Sequence, residues 1–156
     1  MPDSAATADG FLLVLAVILP FVGGGDELVG RVLARLLETE GVQSHLLSSR
    51  ILRSEKIQQL QALSPKWVVV SAVESRSAMS VGKMAHSIQI LLPEAVILIG
   101  LWSLPPEGAA RVLRGIREST VGGIYTNLEQ AVRGIVSMVS PSRLEHPLQS
   151  EQVSAQ

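Results

Sequence analysis

The chain patterns as an α/β domain: a single doubly wound sheet of five parallel strands with helices on both faces. Short apolar runs alternate with amphipathic helical stretches along most of its length. Hydrophobic residues make up 47% of the chain and aromatic residues only 3%, so the core is built from Leu, Val, Ile and Ala. That composition suits strands covered on both sides. Cap and turn residues stand at the junctions.

Residues 1–10, "MPDSAATADG", are small and polar and read as a flexible linker. The domain proper spans 11–139. It opens on the apolar run "FLLVLAVILPFV", which places the first strand at Leu13–Leu19. The run is twelve residues long, whereas a membrane span needs about 20. Only Asp3 and Asp9 carry charge before it, with no positive leader, so direct membrane insertion is not expected. Asp26 is the expected N-cap of a helix running to Glu40, and Gly41 supplies its left-handed end. Leu28, Val32, Leu36 and Leu37 are spaced to line the buried face, leaving Arg31, Arg35 and Glu38 outside it.

The second strand is expected at Gln43–Leu47, followed by a helix over Ser54–Leu63. A third strand at Trp67–Ala72 precedes a helix over Ser77–Leu91, and a fourth strand falls at Ala95–Gly100. Pro106 can occupy the first turn of a helix to Arg117. The fifth strand is Gly123–Tyr125, and Asn127 caps the last helix with Gln130 at capping-box spacing. That helix, to Met138, carries Leu128, Val132, Ile135, Val136 and Val139, which can cover a sheet edge or face a symmetric partner. A weak homodimer is expected on that ground. Residues 140–156 have little to bury and read as a disordered tail. Five such units imply the flavodoxin-like strand order 2-1-3-4-5. Right-handed crossovers bring the loops at Phe21–Asp26, Ser71–Ser77, Leu101–Pro106 and Tyr125–Asn127 to one edge. Gly23, Gly24, Gly25, Ser71, Glu74, Gly100, Trp102 and Tyr125 are therefore the candidate ligand or partner contacts.

Several chemistries are argued against. Thirteen basic and fourteen acidic residues give a net charge of −1, with no footprint for nucleic acid. The absence of cysteine removes disulfides, thiolate metal sites and cysteine nucleophiles. Gly23–Leu28 reads G-x-G-x-x-L, so the third glycine of a dinucleotide fingerprint is missing, and Asp26-Glu27 crowd the pyrophosphate position. Gly25 and Gly30 have P-loop spacing, but Arg31-Val32 follow in place of Lys and a hydroxyl. An FMN phosphate loop would want hydroxyls, and the first loop has none. His45, His86 and His146 are scattered, no metal ligand set stands out, and Ser71 has no base placed by spacing. The acidic pair is better read as helix capping and dipole compensation. No catalytic residue, metal or cofactor is expected.

In size the chain is similar to response-regulator receivers. Their acidic residues, phosphoacceptor Asp and Lys are replaced here by Pro20-Phe21, Ser71-Ala72-Val73 and Tyr125-Thr126. It also resembles the cobalamin-binding fold, whose D-x-H-x-x-G becomes Asp26, Leu28 and Arg31. Ser71-Ala72-Val73 loosely matches that family's serine motif, and Gly100-Leu101-Trp102 keeps one glycine of two. Over about Leu13–Val136 it resembles a degenerate version of that fold, the cytosolic C-terminal domain of some bacterial permeases of the autoinducer-2 exporter family. The elements that carry this are "ILP", "DELVGRVLARLLETEG" and "ILIGLW", with Val22-Gly23-Gly24-Gly25 standing where that family has a charged loop.

The resemblance implies a non-enzymatic regulatory or protein-interaction domain, cytoplasmic or at the cytoplasmic face of the inner membrane. It would be the soluble part of a permease or an accessory to one. The alternative is a small-molecule sensor with a pocket beside Trp102 and Tyr125. Trp102 itself has two readings: an interface anchor on the stiff loop "GLWSLPPEG", or a packing residue folded over Val73 or Tyr125.

Overall fold

The computed structural model describes residues 15–73, 78–103, 105, 107–108 and 121–139. Its elements are β1 (Leu15–Pro20), α1 (Gly24–Thr39), β2 (Gln43–Leu46), α2 (Arg53–Leu63), β3 (Trp67–Ala72), α3 (Ala78–Leu91), β4 (Val96–Leu101), β5 (Gly123–Tyr125) and α4 (Leu128–Val139). The strands form one parallel sheet in the order β2-β1-β3-β4-β5. This is the expected fold and strand order. Of the helix expected at Pro106–Arg117 only residues 107–108 are described, both helical; Glu74, the linker and the tail lie outside the described residues.

All six residues of β3 are buried, because helices cover both faces and side chains alternate between them with a period of two. Val17, Leu19, Val68, Val70, Ile97 and Ile99 face α2 and α3, where Leu60, Val81, Ala85 and Ile88 meet them. Ala16, Ile18, Val69 and Leu98 face α1 and α4, against Leu33, Leu37, Ala131 and Ile135. The sheet is therefore wound in both directions from β1 and β3, and the loop from β1 to α1 meets the chain leaving β3 at one edge.

The caps differ in one instructive place. Asn127 caps α4 as expected, its side-chain oxygen accepting from the Gln130 amide at 2.8 Å. Gly41 takes φ 81°, and Ser64 closes α2 in the same left-handed region at φ 44°. Asp26, however, is not the N-cap. Gly23 holds that position and α1 starts at Gly24, putting Asp26 in the first turn.

The buried face of α1 also differs from the expected stripe. It consists of Asp26, Gly30, Leu33 and Leu37. Leu28, Val32 and Leu36 retain 62%, 44% and 37% of their surface. Gly30 explains the rotation, since a Cβ there would lie 3.0 Å from both Ile18 Cγ2 and Leu46 Cδ1. The helix lies against β1 and β2 at that glycine, and the leucine-valine stripe is carried away from the sheet. Among the described residues no helix is long and apolar enough to cross a membrane.

Candidate functional site

The carboxyl edge of the sheet is organised by Asp26. One carboxylate oxygen accepts from the Val22 amide at 2.8 Å and, at the 3.5 Å limit, from Gly23. The other accepts from the Val73 amide at 2.7 Å. Asp26 thus serves the start of its own helix and ties it to the chain leaving β3. The residue is 8% exposed, and its buried oxygens are satisfied by the N–H donors that converge on them. These are the loop amides that would otherwise be offered to a ligand's anion.

Ser71, fully buried in β3, is the second link. Its hydroxyl donates to the main-chain oxygen of Asp26 at 2.9 Å and accepts from Trp102 Nε1 at 2.8 Å. Phe21 N donates to Ser71 O, Trp102 N to Ala72 O, and the Ser103 hydroxyl to Val73 O. With its proton committed to a carbonyl, Ser71 holds the edge together.

The indole of Trp102 lies over Gly100. A Cβ at that glycine would stand 2.1 Å from the ring, so the absence of a side chain there is what seats it. Trp102 is therefore folded back, with its indole on Gly100 and Ser71. It is half-buried and packs with Tyr125 against the cluster shared by α1 and α4. Tyr125 finds its own space at Gly134 of α4, where a Cβ would meet the phenol oxygen at 2.2 Å. Burial pushes its pKa up.

The three loop glycines are not fixed by crowding. A Cβ at Gly23 or Gly24 would meet nothing within 4 Å, and one at Gly25 only Val73, at 3.9 Å. Gly23, Gly25, Ser71 and the chain leaving β3 are brought together through Asp26; Gly100 and Trp102 join through Ser71; Tyr125 pairs with Gly100 across the sheet and rests against Gly134. Glu27, next to Asp26, accepts from the Ser49 amide at 2.6 Å and pairs with Arg31 at 3.4 Å. The Ser49 amide, more than Arg31, holds its carboxyl below the usual range. Both acids thus tie α1 to neighbouring loops. Among the described residues no group of three His, Asp or Glu could hold a metal ion.

Spacing did not single out Gly134 or the cross-sheet reach of Asp26, and it marked Gly30 only for its P-loop spacing, not for the close packing that depends on what faces it. The missing third glycine of the G-x-G-x-x-L stretch has its packing counterpart two positions later, at Gly30.

No family model and no curated protein matches the chain by sequence. Solved structures do match in shape. A cobalamin-binding protein from Desulfitobacterium hafniense DCB-2 superposes with a TM-score of 0.60 at 15% identity over 81% of this chain and 59% of that one. The Methanosarcina barkeri monomethylamine corrinoid protein gives 0.61 at 15%, over 81% and 58%. A response regulator from Thermotoga maritima gives 0.58 at 11%, over 82% and 99%. The likeness is one of fold. This chain spans about three fifths of the two corrinoid structures and nearly all of the response regulator. In the corrinoid comparison, Leu28, at the place the resembled motif gives to histidine, is exposed on α1. In the other, the end of β3 presents buried Ser71 and Ala72 in place of an acceptor carboxylate.

Proposed function

We propose that this domain is a non-enzymatic regulatory module acting through protein contact, with its edge crevice closed by its own side chains. One observation carries the reading. The amides at the start of α1 and after β3 are occupied by the Asp26 carboxylate, and the space over Gly100 is occupied by Trp102. A cofactor phosphate or a nucleotide tail would have to displace both. The exposed stripe Leu28, Val32 and Leu36 on α1 accords with a surface that meets another protein.

The finer reading, the soluble part of or an accessory to a membrane permease at the cytoplasmic face, rests on the resemblance of "DELVGRVLARLLETEG" and "ILIGLW". It predicts that the chain is encoded within or beside a multi-span membrane protein. The weak homodimer rests separately on the apolar residues of the last helix, and sedimentation at high protein concentration decides it.

Thermal denaturation with hydroxocobalamin, FMN and NADP tests the closed crevice. A ligand at a hundredfold excess over its Kd would add about 2.7 kcal/mol of stability, or about 5–10 °C in a domain of this size. The expected result is no shift with any of them. A shift of that order that is lost when Gly24 is replaced by a bulky residue would overturn the reading.

A further inference from the structure

On the side of the sheet away from α1, a groove runs between α2 and α3. Its inner part is a slot of about 140 Å³ with Leu19, Ile57, Leu60, Met84, Ile88 and Leu91 in its walls. Its outer part, about 380 Å³, is lined by Phe21, Arg53, Lys56, Ser80 and Lys83, and the two share Arg53, Lys56, Met84 and Ser87. Arg53 opens α2, Ser80 lies in the first turn of α3 and Phe21 follows β1. The mouth therefore lies at the carboxyl edge, beside the crevice closed by Asp26.

The charge of this mouth is one-sided. Three cations from two helices line it, and among the described residues no carboxylate lines either part. The ion pairs among the described residues are Arg31–Glu27 and Arg133–Glu129, both elsewhere. Arg53, Lys56 and Lys83 thus have no acidic partner among the described residues. A cationic mouth over a narrow apolar slot selects an occupant with negative charge outside and one compact apolar group inside. The slot's size sets that group, since an apolar cavity of about 150 Å³ accepts benzene. It takes a Phe or Leu side chain and is too small for a lipid acyl chain.

We propose that the α2–α3 groove docks an acidic linear peptide segment of a partner protein, with one Phe or Leu side chain seated between Leu60 and Ile88 and its carboxylates at Arg53, Lys56 and Lys83. This rests on the protein-contact reading above and names the surface.

Fluorescence anisotropy tests it on the full chain, with a labelled synthetic peptide of alternating Asp and Ala around one central Phe. Saturable binding is expected, weakening as salt rises. Replacing the Phe by Ser should cost about tenfold in affinity, as expected for an anchor residue. Lys56→Glu with Lys83→Glu should cost at least as much. Arg35→Glu with Arg133→Glu, the same charge change on the opposite face, should leave affinity unchanged. Circular dichroism and melting confirm folding, and Lys83→Gln alone, at an exposed position, serves if the double reversal does not fold.

The proposal is overturned by absent or non-saturable binding, by equal affinity for the Phe and Ser peptides, or by equal losses in the two charge-reversal variants. It is also overturned if phosphatidylserine vesicles sediment the protein while the peptide does not bind. A partner that binds the Lys56→Glu, Lys83→Glu variant as tightly as the unaltered chain removes the groove and leaves the protein-contact reading standing. A cofactor seated in the crevice removes that reading instead, and the peptide titration still decides the groove.

Discussion

Replacing Gly100 with Ala sets a new methyl group against the indole of Trp102. The added Cβ would stand 2.1, 2.4 and 2.7 Å from three ring carbons, far inside the ~3.5–4.0 Å at which carbon pairs attract. Gly100 is held in β4 between β3 and β5, paired with Ser71 and Tyr125, so the ring must move rather than the strand. Its departure breaks the Nε1–Ser71 hydrogen bond, worth about 1 kcal/mol. It also returns apolar surface to water. A buried aromatic covers about 150–250 Å²; half of that at ~25 cal/mol per Å² is about 2.5 kcal/mol. Gly100→Ala should therefore cost about 3 kcal/mol, and Trp102→Ala, which removes the same contacts, a similar amount. The double variant is decisive: with no ring in the way, the methyl group introduced by Gly100→Ala adds no further cost. Urea denaturation followed by circular dichroism should give a coupling energy of about 3 kcal/mol between the two sites. Additive costs, or a neutral Gly100→Ala, would refute the seating of Trp102 on Gly100.

Three further outcomes are expected. Tyr125 is the sole tyrosine, so tyrosinate absorbance reports it alone. Its burial-raised pKa favours the neutral phenol in the fold, so the folded midpoint should exceed that in urea; its contribution to stability is full at neutral pH and fades as pH rises through the folded value. Equal midpoints would show an unburied ring. Glu27 shifts the opposite way, chiefly through the Ser49 amide. Its contribution is full above the ordinary glutamate range and fades as pH falls through the lowered value, so Glu27→Gln should flatten the acid limb of a urea-midpoint profile; an unchanged slope counts against the contact. Ser64 holds a left-handed φ of 44°, and Ser64→Gly should raise stability by about 1 kcal/mol, checked by the same urea titration.

The sheet was legible because its information is local. "WVVVSA" and "VILIGL" have the length and composition of strands buried on both faces, and each helix is separated by its own turn residues. The orientation of α1 was not. Leu28, Val32 and Leu36 form as regular an apolar stripe as Leu33 and Leu37 do, and amphipathic periodicity alone cannot say which of two adjacent stripes meets the sheet. That choice is made by Gly30 against Ile18 and Leu46, a contact between separate elements of the chain. The site shows the same division. The acidic pair could be assigned to the helix start from its position, yet the 2.7 Å bond from Val73 to Asp26 spans 47 residues. The seat of Trp102 likewise required knowing that the ring turns back along its own strand. The cationic mouth was hidden for that reason too: Lys56 and Lys83 read as ordinary surface residues until α2 and α3 are set side by side.

These observations bear on what a closed crevice does for the domain. At the carboxyl edge of a parallel sheet, helix starts and loop amides leave a concentration of unpaired donors that favours an anion. In this chain the anion is Asp26, carried on the helix it stabilises, and it cannot dissociate. Because the same residue also holds the chain after β3 and receives the Ser71 hydroxyl, the start of α1, the end of β3 and the Trp102 loop form one connected unit. An edge whose donors are met within the chain is held together without a ligand. The loss of freedom on meeting a partner is then small, and affinity there is set by what the neighbouring surfaces present. Arg53, Lys56 and Lys83, which have no acidic partner among the described residues, stand beside that edge at the mouth of the α2–α3 groove, and the proposed docking places selective contact there and not in the crevice.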